Sequence, residues 1–255
     1  MEFIVSASTD IGNTKRTNQD SYHVRVYRTG EGRVVFAVLC DGMGGFDYGE
    51  IASAYVVRSF FSWAGERLAG VLASDHPDQW LRSDWNSLIE YCNGAIARFA
   101  FRGKHVIGTT LTAMLITQQR YSIVNVGDTR AYEIAEKLCQ LTKDQTVVAQ
   151  EVREGILTPD EARRDPRRNI LLQCVGASEE VHPDFFFGET RENAVYMMCT
   201  DGFRNELSEE EIFQALHPDR LTAWEVSGET ERALINLVKQ RQERDNISVI
   251  TIKTF

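Results

Sequence analysis

The sequence predicts an α+β sandwich. Three observations carry that expectation: the apolar strands come in two groups, two helical stretches follow the third strand, and two more precede the last strand. The chain has 255 residues, 43% hydrophobic and 25% charged, enough for a real core. No internal repeat, low-complexity tract or Pro/Gly/Ser linker divides it, so residues 1–255 are expected to form a single domain.

The elements follow in order. Phe3–Ser8 reads as a strand, a polar turn runs from Asp10 to Asn18, and Tyr22–Tyr27 alternates with period two. Gly30-Glu31-Gly32 turns the chain into the continuous apolar run Val34–Cys40, which stops at Asp41-Gly42. From Glu50 to about Leu68, the spacing of Ile51, Ala54, Tyr55, Arg58 and Phe61 predicts a helix. A second helix is expected over about Gln79–Phe101, with Leu81, Trp85, Leu88, Ile89, Cys92 and Ile96 as its apolar stripe. Strands are expected at Thr110–Ile116, Tyr121–Val126 and Ala131–Ile134. The stretch from about Asp144 to Ala177 is charged and lacks strand alternation. It contains Thr158-Pro159-Asp160-Glu161, which reads as an N-cap, a first-turn proline and early acids, and it is expected to be a small helical insertion. Asp184–Phe187 and Val195–Cys199 then read as strands, Glu209–Leu216 and Glu229–Gln240 as helices, and Asn246–Ile252 as the last strand.

Composition excludes several functions. A net charge of -9 does not attract nucleic acid or an anionic membrane. The five cysteines are widely spaced among apolar neighbours and form no CxxC pair, as expected of buried free thiols in a reducing compartment. The first residues, Met1-Glu2-Phe3-Ile4-Val5, do not read as a signal peptide, and no run is long and apolar enough to span a bilayer. A soluble, cytoplasmic monomer is the expectation.

Chemistry is concentrated in aspartates at strand ends. Asp41-Gly42 follows one apolar strand, and Asp201-Gly202 follows another after one threonine. Asp128 follows a third strand, and Asp245 precedes the last. One Asp-Gly alone is the signature of a turn. Several brought together would repel, by ~4 kcal/mol per pair at 4 Å and an effective dielectric of about 20, and divalent cations would relieve that repulsion. All-oxygen ligation selects Mg²⁺ or Mn²⁺ over Zn²⁺. Two such ions ~3.5–4 Å apart would hold and deprotonate a bridging water for in-line attack on phosphorus.

In order along the chain stand Gly12-Asn13-Thr14-Lys15-Arg16-Thr17-Asn18-Gln19-Asp20, Asp41-Gly42-Met43-Gly44-Gly45, Gly49-Glu50 with Ala52-Ser53, Gly108-Thr109-Thr110, and Val126-Gly127-Asp128-Thr129-Arg130. Leu141-Thr142-Lys143-Asp144, Arg168-Asn169 to Gly176, Thr200-Asp201-Gly202 and Asp245-Asn246-Ile247-Ser248-Val249 complete the set. The series spans nearly the whole chain and resembles the bacterial form of the type 2C metal-dependent protein serine/threonine phosphatases. The resemblance implies a four-layer α-β-β-α sandwich: two antiparallel sheets packed face to face with helices outside, and the metals in a cleft at one sheet end. It implies that Asp41 bridges two Mn²⁺ or Mg²⁺ ions, that the Gly42 carbonyl binds one of them, and that Asp201 and Asp245 complete the first site. Asp128 with Asp201 would serve a third, weaker ion. Asp20 would hydrogen-bond metal-bound water, and Arg16 would hold the substrate phosphate, a role suited to a forked guanidinium. The implied reaction is direct hydrolysis of phosphoserine or phosphothreonine without a phosphoenzyme, on substrates of a serine/threonine kinase, with the insertion at about 144–177 as a flap. A pseudophosphatase that only binds phosphoproteins is the alternative.

Departures from the pattern bear on the rim. Met43 and Phe46 stand where relatives often have His, and Asp144-Gln145-Thr146 replaces Asp-His-Ser. A thioether donates no proton, so Met43 leaves the leaving-group acid unassigned. Cys92 and Arg98 match the Cys-x5-Arg spacing of cysteine phosphatases, but the intervening Asn93-Gly94-Ala95-Ile96-Ala97 is helical in pattern, so Cys92 is expected to be a core thiol. The five histidines have no ligand spacing. Met197-Met198 and Phe185-Phe186-Phe187 are expected in the core, and Arg163-Arg164-Asp165-Pro166-Arg167-Arg168 on a solvated flap.

Overall fold

The computed structural model describes residues 1–44, 48–103 and 105–255. One sheet contains, in spatial order, β1 (Phe3–Asp10), β11 (Ile247–Thr254), β10 (Val195–Cys199), β7 (Arg130–Ile134) and β8 (Leu138–Gln140). The other runs β2 (Asp20–Thr29), β3 (Gly32–Gly44), β5 (Leu111–Ile116), β6 (Arg120–Val126) and β9 (Asp184–Glu189), and β4 (Ile107–Thr109) pairs with the far end of β3. Every strand pair is antiparallel.

The apolar runs are continuous because both faces of each sheet are covered. Along β3, Val34, Phe36, Val38 and Cys40 face α1 (Gly49–Leu72) and α2 (Pro77–Gly103), while Val35, Ala37 and Leu39 face the other sheet. Along β10, Tyr196 and Met198 face the sheet of β3, β5 and β6. Val195, Met197 and Cys199 pack with residues of α5 (Asp201–Arg204), α6 (Glu209–Leu216) and α7 (Trp224–Gln240). The result is the α-β-β-α sandwich the sequence led us to expect.

Two details differ from expectation. The stripe expected on α1 is one step out of phase. Ala52, Ser53, Val56, Phe60, Trp63 and Ala64 are buried, while Ile51 is 41% exposed and Arg58 is exposed. Periodicity fixes that a helix forms, but the aromatic pair Phe60 and Trp63 sets its phase by packing on Trp85, with ring centroids 6.4 and 5.5 Å away. The Phe185–Phe187 run is only half-buried on edge strand β9, where the Arg82 guanidinium lies 4.6 Å from the Phe185 ring. Met197 and Met198 are fully buried.

The segment between β8 and β9 carries α3 (Val147–Arg153) and α4 (Pro159–Arg164). Thr158 is the N-cap the sequence suggested: it accepts a hydrogen bond from the Glu161 amide at 3.3 Å, and the Glu161 carboxylate accepts one from the Thr158 amide at 2.8 Å, closing a capping box. Arg167 pairs with Glu151 and Asp165 within the segment, while Arg163, Arg164 and Arg168 are exposed. The base of the segment is pinned. Val175 exchanges both backbone hydrogen bonds with Thr109 at 2.9 Å, and the Gln145 amide donates to the Gly127 carbonyl at 3.0 Å.

Candidate metal centre

Register places the first two aspartates side by side: Asp20 opens β2 directly opposite Asp41 near the end of β3. The amide of Asp41 donates to Thr110 Oγ1 at 2.8 Å, and its carbonyl accepts from the Thr110 amide at 2.9 Å, so its main chain is held from both sides. Asp201 begins α5, and Asp245 lies in the turn before β11. Neither Asp-Gly pair is a turn. Asp41-Gly42 continues a strand, and Asp201-Gly202 starts a short helix.

Both glycines serve close backbone approach. A Cβ on Gly42 would lie 2.3 Å from the Gly49 carbonyl oxygen and 2.5 Å from that of Gln19. A Cβ on Gly202 would lie 2.2 Å from the Asn246 carbonyl oxygen. Each missing side chain lets a second segment press against the one carrying the aspartate.

The carboxylates lie in one another's fields. Burial, then repulsion from Asp20, Asp201, Asp245 and Asp128, pushes the Asp41 carboxyl well above its ordinary range. Burial raises Asp20 to about 7, with Asp201 and Asp245 adding to the effect against hydrogen bonds from Ser248 and Thr200. Asp128 is likewise raised to about 7, by burial first and then Asp201, with Arg204 pulling it down. Asp201 is raised by burial against the pull of Arg204. Among the described residues, no three of Asp, Glu, His and Cys are drawn tightly enough together to hold an ion as they stand.

The residues fit a hard cation on their own chemistry. Asp20 accepts from Ser248 Oγ at 2.7 Å and Thr200 Oγ1 at 3.2 Å through one oxygen, and its other oxygen is buried without a partner. One oxygen of Asp201 is also buried and unpartnered. Buried acceptors of this kind are costly unless something fills them.

Arg16 lies in the loop between β1 and β2, exposed. That loop is tied to the other half of the site. Asn246 donates to the carbonyls of Ile11 at 2.9 Å and Thr17 at 3.2 Å and accepts from the Gln19 amide at 2.9 Å. Met43 is half-buried opposite Gly108; Gly45 and Phe46 lie outside the described residues. Gln145, in the place where relatives often have His, accepts from the Gly127 amide at 2.8 Å and donates to Asp184 at 3.0 Å, bracing the turn that presents Asp128. Cys92 is fully buried, and burial pushes its thiol up to about 11, so it is no nucleophile. Four of the five cysteines are buried, and Cys139 is partly exposed.

A family model described as protein phosphatase 2C matches residues 12–239. The chain belongs to the protein phosphatase 2C family. It is 31% identical over 248 residues to the serine/threonine protein phosphatase PstP of Mycobacterium tuberculosis, covering 96% of this chain and 44% of that protein. It thus spans less than half the length of that relative. With the serine/threonine phosphatase stp of Listeria monocytogenes it is 30% identical over 250 residues, covering 96% of this chain and 93% of the relative. The S. agalactiae serine/threonine phosphatase structure superposes with a TM-score of 0.84 at 28% identity, covering 100% of both chains. The catalytic domain of PstP, solved in complex with two manganese ions, superposes with a TM-score of 0.77 at 30% identity, covering 98% of this chain and 97% of that one.

Sequence reasoning did not single out the cations of this protein phosphatase 2C site. Lys15 Nζ lies 2.6 Å from Asp245 Oδ1, and Arg204 Nη2 lies 3.3 Å from Asp128 Oδ2. A Lys beside the expected phosphate-binding Arg16, and an Arg three residues after Asp201, were the available signals.

Proposed function

We propose that this protein phosphatase 2C member hydrolyses phosphoserine and phosphothreonine in proteins, with two Mn²⁺ or Mg²⁺ ions held by Asp41, the Gly42 carbonyl, Asp201 and Asp245. The observation that carries the reading is the set of mutually repelling aspartates, two of which aim a buried, unpartnered oxygen at nothing in the chain. When bound, the ions supply Lewis-acid polarisation of the phosphate and acidify water.

The chain's own residues do the rest. Ser248 and Thr200 fix the Asp20 carboxylate through one oxygen and leave the other to accept a hydrogen bond from the attacking water. Arg16, in a loop stapled by Asn246, is available to fork onto two phosphate oxygens. The Met43 thioether cannot protonate the departing serine or threonine alkoxide, so solvent supplies that proton. The segment at about 144–177, pinned at Thr109 and Gly127 on the edge of the site, acts as the flap over protein substrates. Substrates of a serine/threonine kinase are the natural partners of such a site. No helix among the described residues is long and apolar enough to cross a membrane. All the aspartates remain in place, so nothing favours the reading as a binding module.

Hydrolysis of p-nitrophenyl phosphate and of a phosphothreonine peptide, with and without Mn²⁺, tests the proposal. Activity should require the metal. Asp41→Asn should lose several kcal/mol of transition-state stabilisation, about a thousandfold in rate. Full activity in Asp41→Asn, at wild-type metal content, would sink the mechanism.

A further inference from the structure

The Asp128 pocket already holds a cation. Arg204 sits at the end of α5, three residues after Asp201, with a side chain 13% exposed. Its Nη2 donates to the Asp128 carbonyl at 3.2 Å and to Asp128 Oδ2 at 3.3 Å, and it stands 3.8 Å from Asp144 Oδ2. Its Nη1 donates to Asn205 Oδ1 at 3.3 Å. Asp144 cannot swing away to release it, because Arg130 forks onto that carboxylate at 2.7 and 2.8 Å.

A divalent ion ligated by Asp128 and Asp201 would have to share this space with a guanidinium. Arginine keeps its charge at any ordinary pH, so the conflict cannot be relieved by losing a proton. The guanidinium would have to be expelled, and its contacts with the Asp128 main chain and side chain surrendered. The residues therefore do not fit a third metal ion.

We infer that Arg204 is the built-in counter-ion of Asp128 and takes the place of a third ion, so that the loaded protein binds two divalent ions and no more. The inference rests on the two-ion reading of Asp41, Asp201 and Asp245 given above. Arg204 is then a positioning residue. It steadies Asp128 and, through Asp144, joins that turn to the root of the 144–177 segment.

Counting bound Mn²⁺ tests this, by following the electron paramagnetic resonance of free Mn²⁺ during titration into the low-millimolar range, alongside metal analysis of the full chain. The unsubstituted chain should saturate at two ions, and Arg204→Gln at three, with the added ion lost again in Arg204→Gln combined with Asp128→Asn. Three ions in the unsubstituted chain, or an unchanged count in folded Arg204→Gln, overturns the inference. Should Arg204→Gln fail to fold, by circular dichroism, Asp128→Asn alone decides. A count still at two supports the inference, and a count one lower than that of the unsubstituted chain overturns it. No bound Mn²⁺ in any form would instead overturn the two-ion reading beneath it.

Discussion

Asp144 and Asp20 are both nearly enclosed, and burial pushes both upward, yet they end on opposite sides of their ordinary value. At Asp144 the fork from Arg130 and the charges of Arg130 and Arg204 outweigh burial and hold the carboxyl low. At Asp20 only Ser248 and Thr200 oppose burial, Asp201 and Asp245 add to it, and the group rises to about 7. One wall of the cleft brings its own cations; the floor does not. The difference teaches that enclosure does not make a metal site. What an enclosed carboxylate does depends on whether a cation of the chain stands against it.

The largest effect expected from breaking this contrast is on the self-neutralised wall. Arg130→Ala leaves Asp144 short of its main partner and Tyr132 short of a donor. Stripping one member from a buried pair costs about 3 kcal/mol or more, so the urea midpoint should fall markedly with Mn²⁺ present or absent. A loss within error of zero would mean that the wall does not depend on its own cation.

The second effect is a pH profile with opposite limbs. Asp20 and Asp128 in the folded, metal-free chain hold protons up to about 7, whereas the unfolded chain releases them near 3.8. Between those values the native state binds more protons, so its stability falls as pH rises. Asp144 lies below its ordinary value, so its contribution is present above about 3.8 and is lost as pH falls further. His23, lowered by burial and by Arg25, acts against the first limb near neutrality. The EDTA-treated protein should therefore melt at higher temperature in mild acid than at pH ~8, and Mn²⁺ should restore the loss at the higher pH. Melting temperatures that rise steadily to that pH without metal would contradict the scheme.

The smallest effect belongs to Lys15. It shields Asp245 through a pair whose members are 37% and 35% exposed, and such pairs contribute only about 0–1 kcal/mol. If Asp245 ligates a metal as proposed, Lys15 competes for the same oxygen, and Lys15→Met should tighten Mn²⁺ binding by no more than ~5-fold. Weaker binding, measured by calorimetry, would show that the lysine supports the metal ligands instead.

The aspartates were legible because each ends or begins an apolar strand, a local pattern. Their cations were not. Arg204 meets Asp128 across 76 positions, and a lone arginine in sequence looks like any solvated one. Glu231 was also hidden. It is fully buried in α7 and accepts hydrogen bonds from Ser6, Ser8 and Thr251, partners on β1 and β11 that no spacing rule connects to it. The same helix begins at Trp224, ahead of the expected Glu229, because Ala223-Trp224 carries no strong capping signal. Short pieces were missed for want of pattern. Three-residue β4 and β8 and four-residue α5 are too brief to show a period, and tertiary pairing alone defines them.

β1 and β11 pair along their whole length, Phe3 opposite Thr254 and Asp10 opposite Ile247. β1 must therefore wait for β11 before that part of the sheet can close. Asp20 and Asp41 emerge early, and Asp245 arrives only with β11. Contacts so distant in sequence are slow to form and leave the early strands exposed meanwhile. A chain that stops short of β11 would hold Asp20 and Asp41 without Asp245, and so only part of the proposed centre.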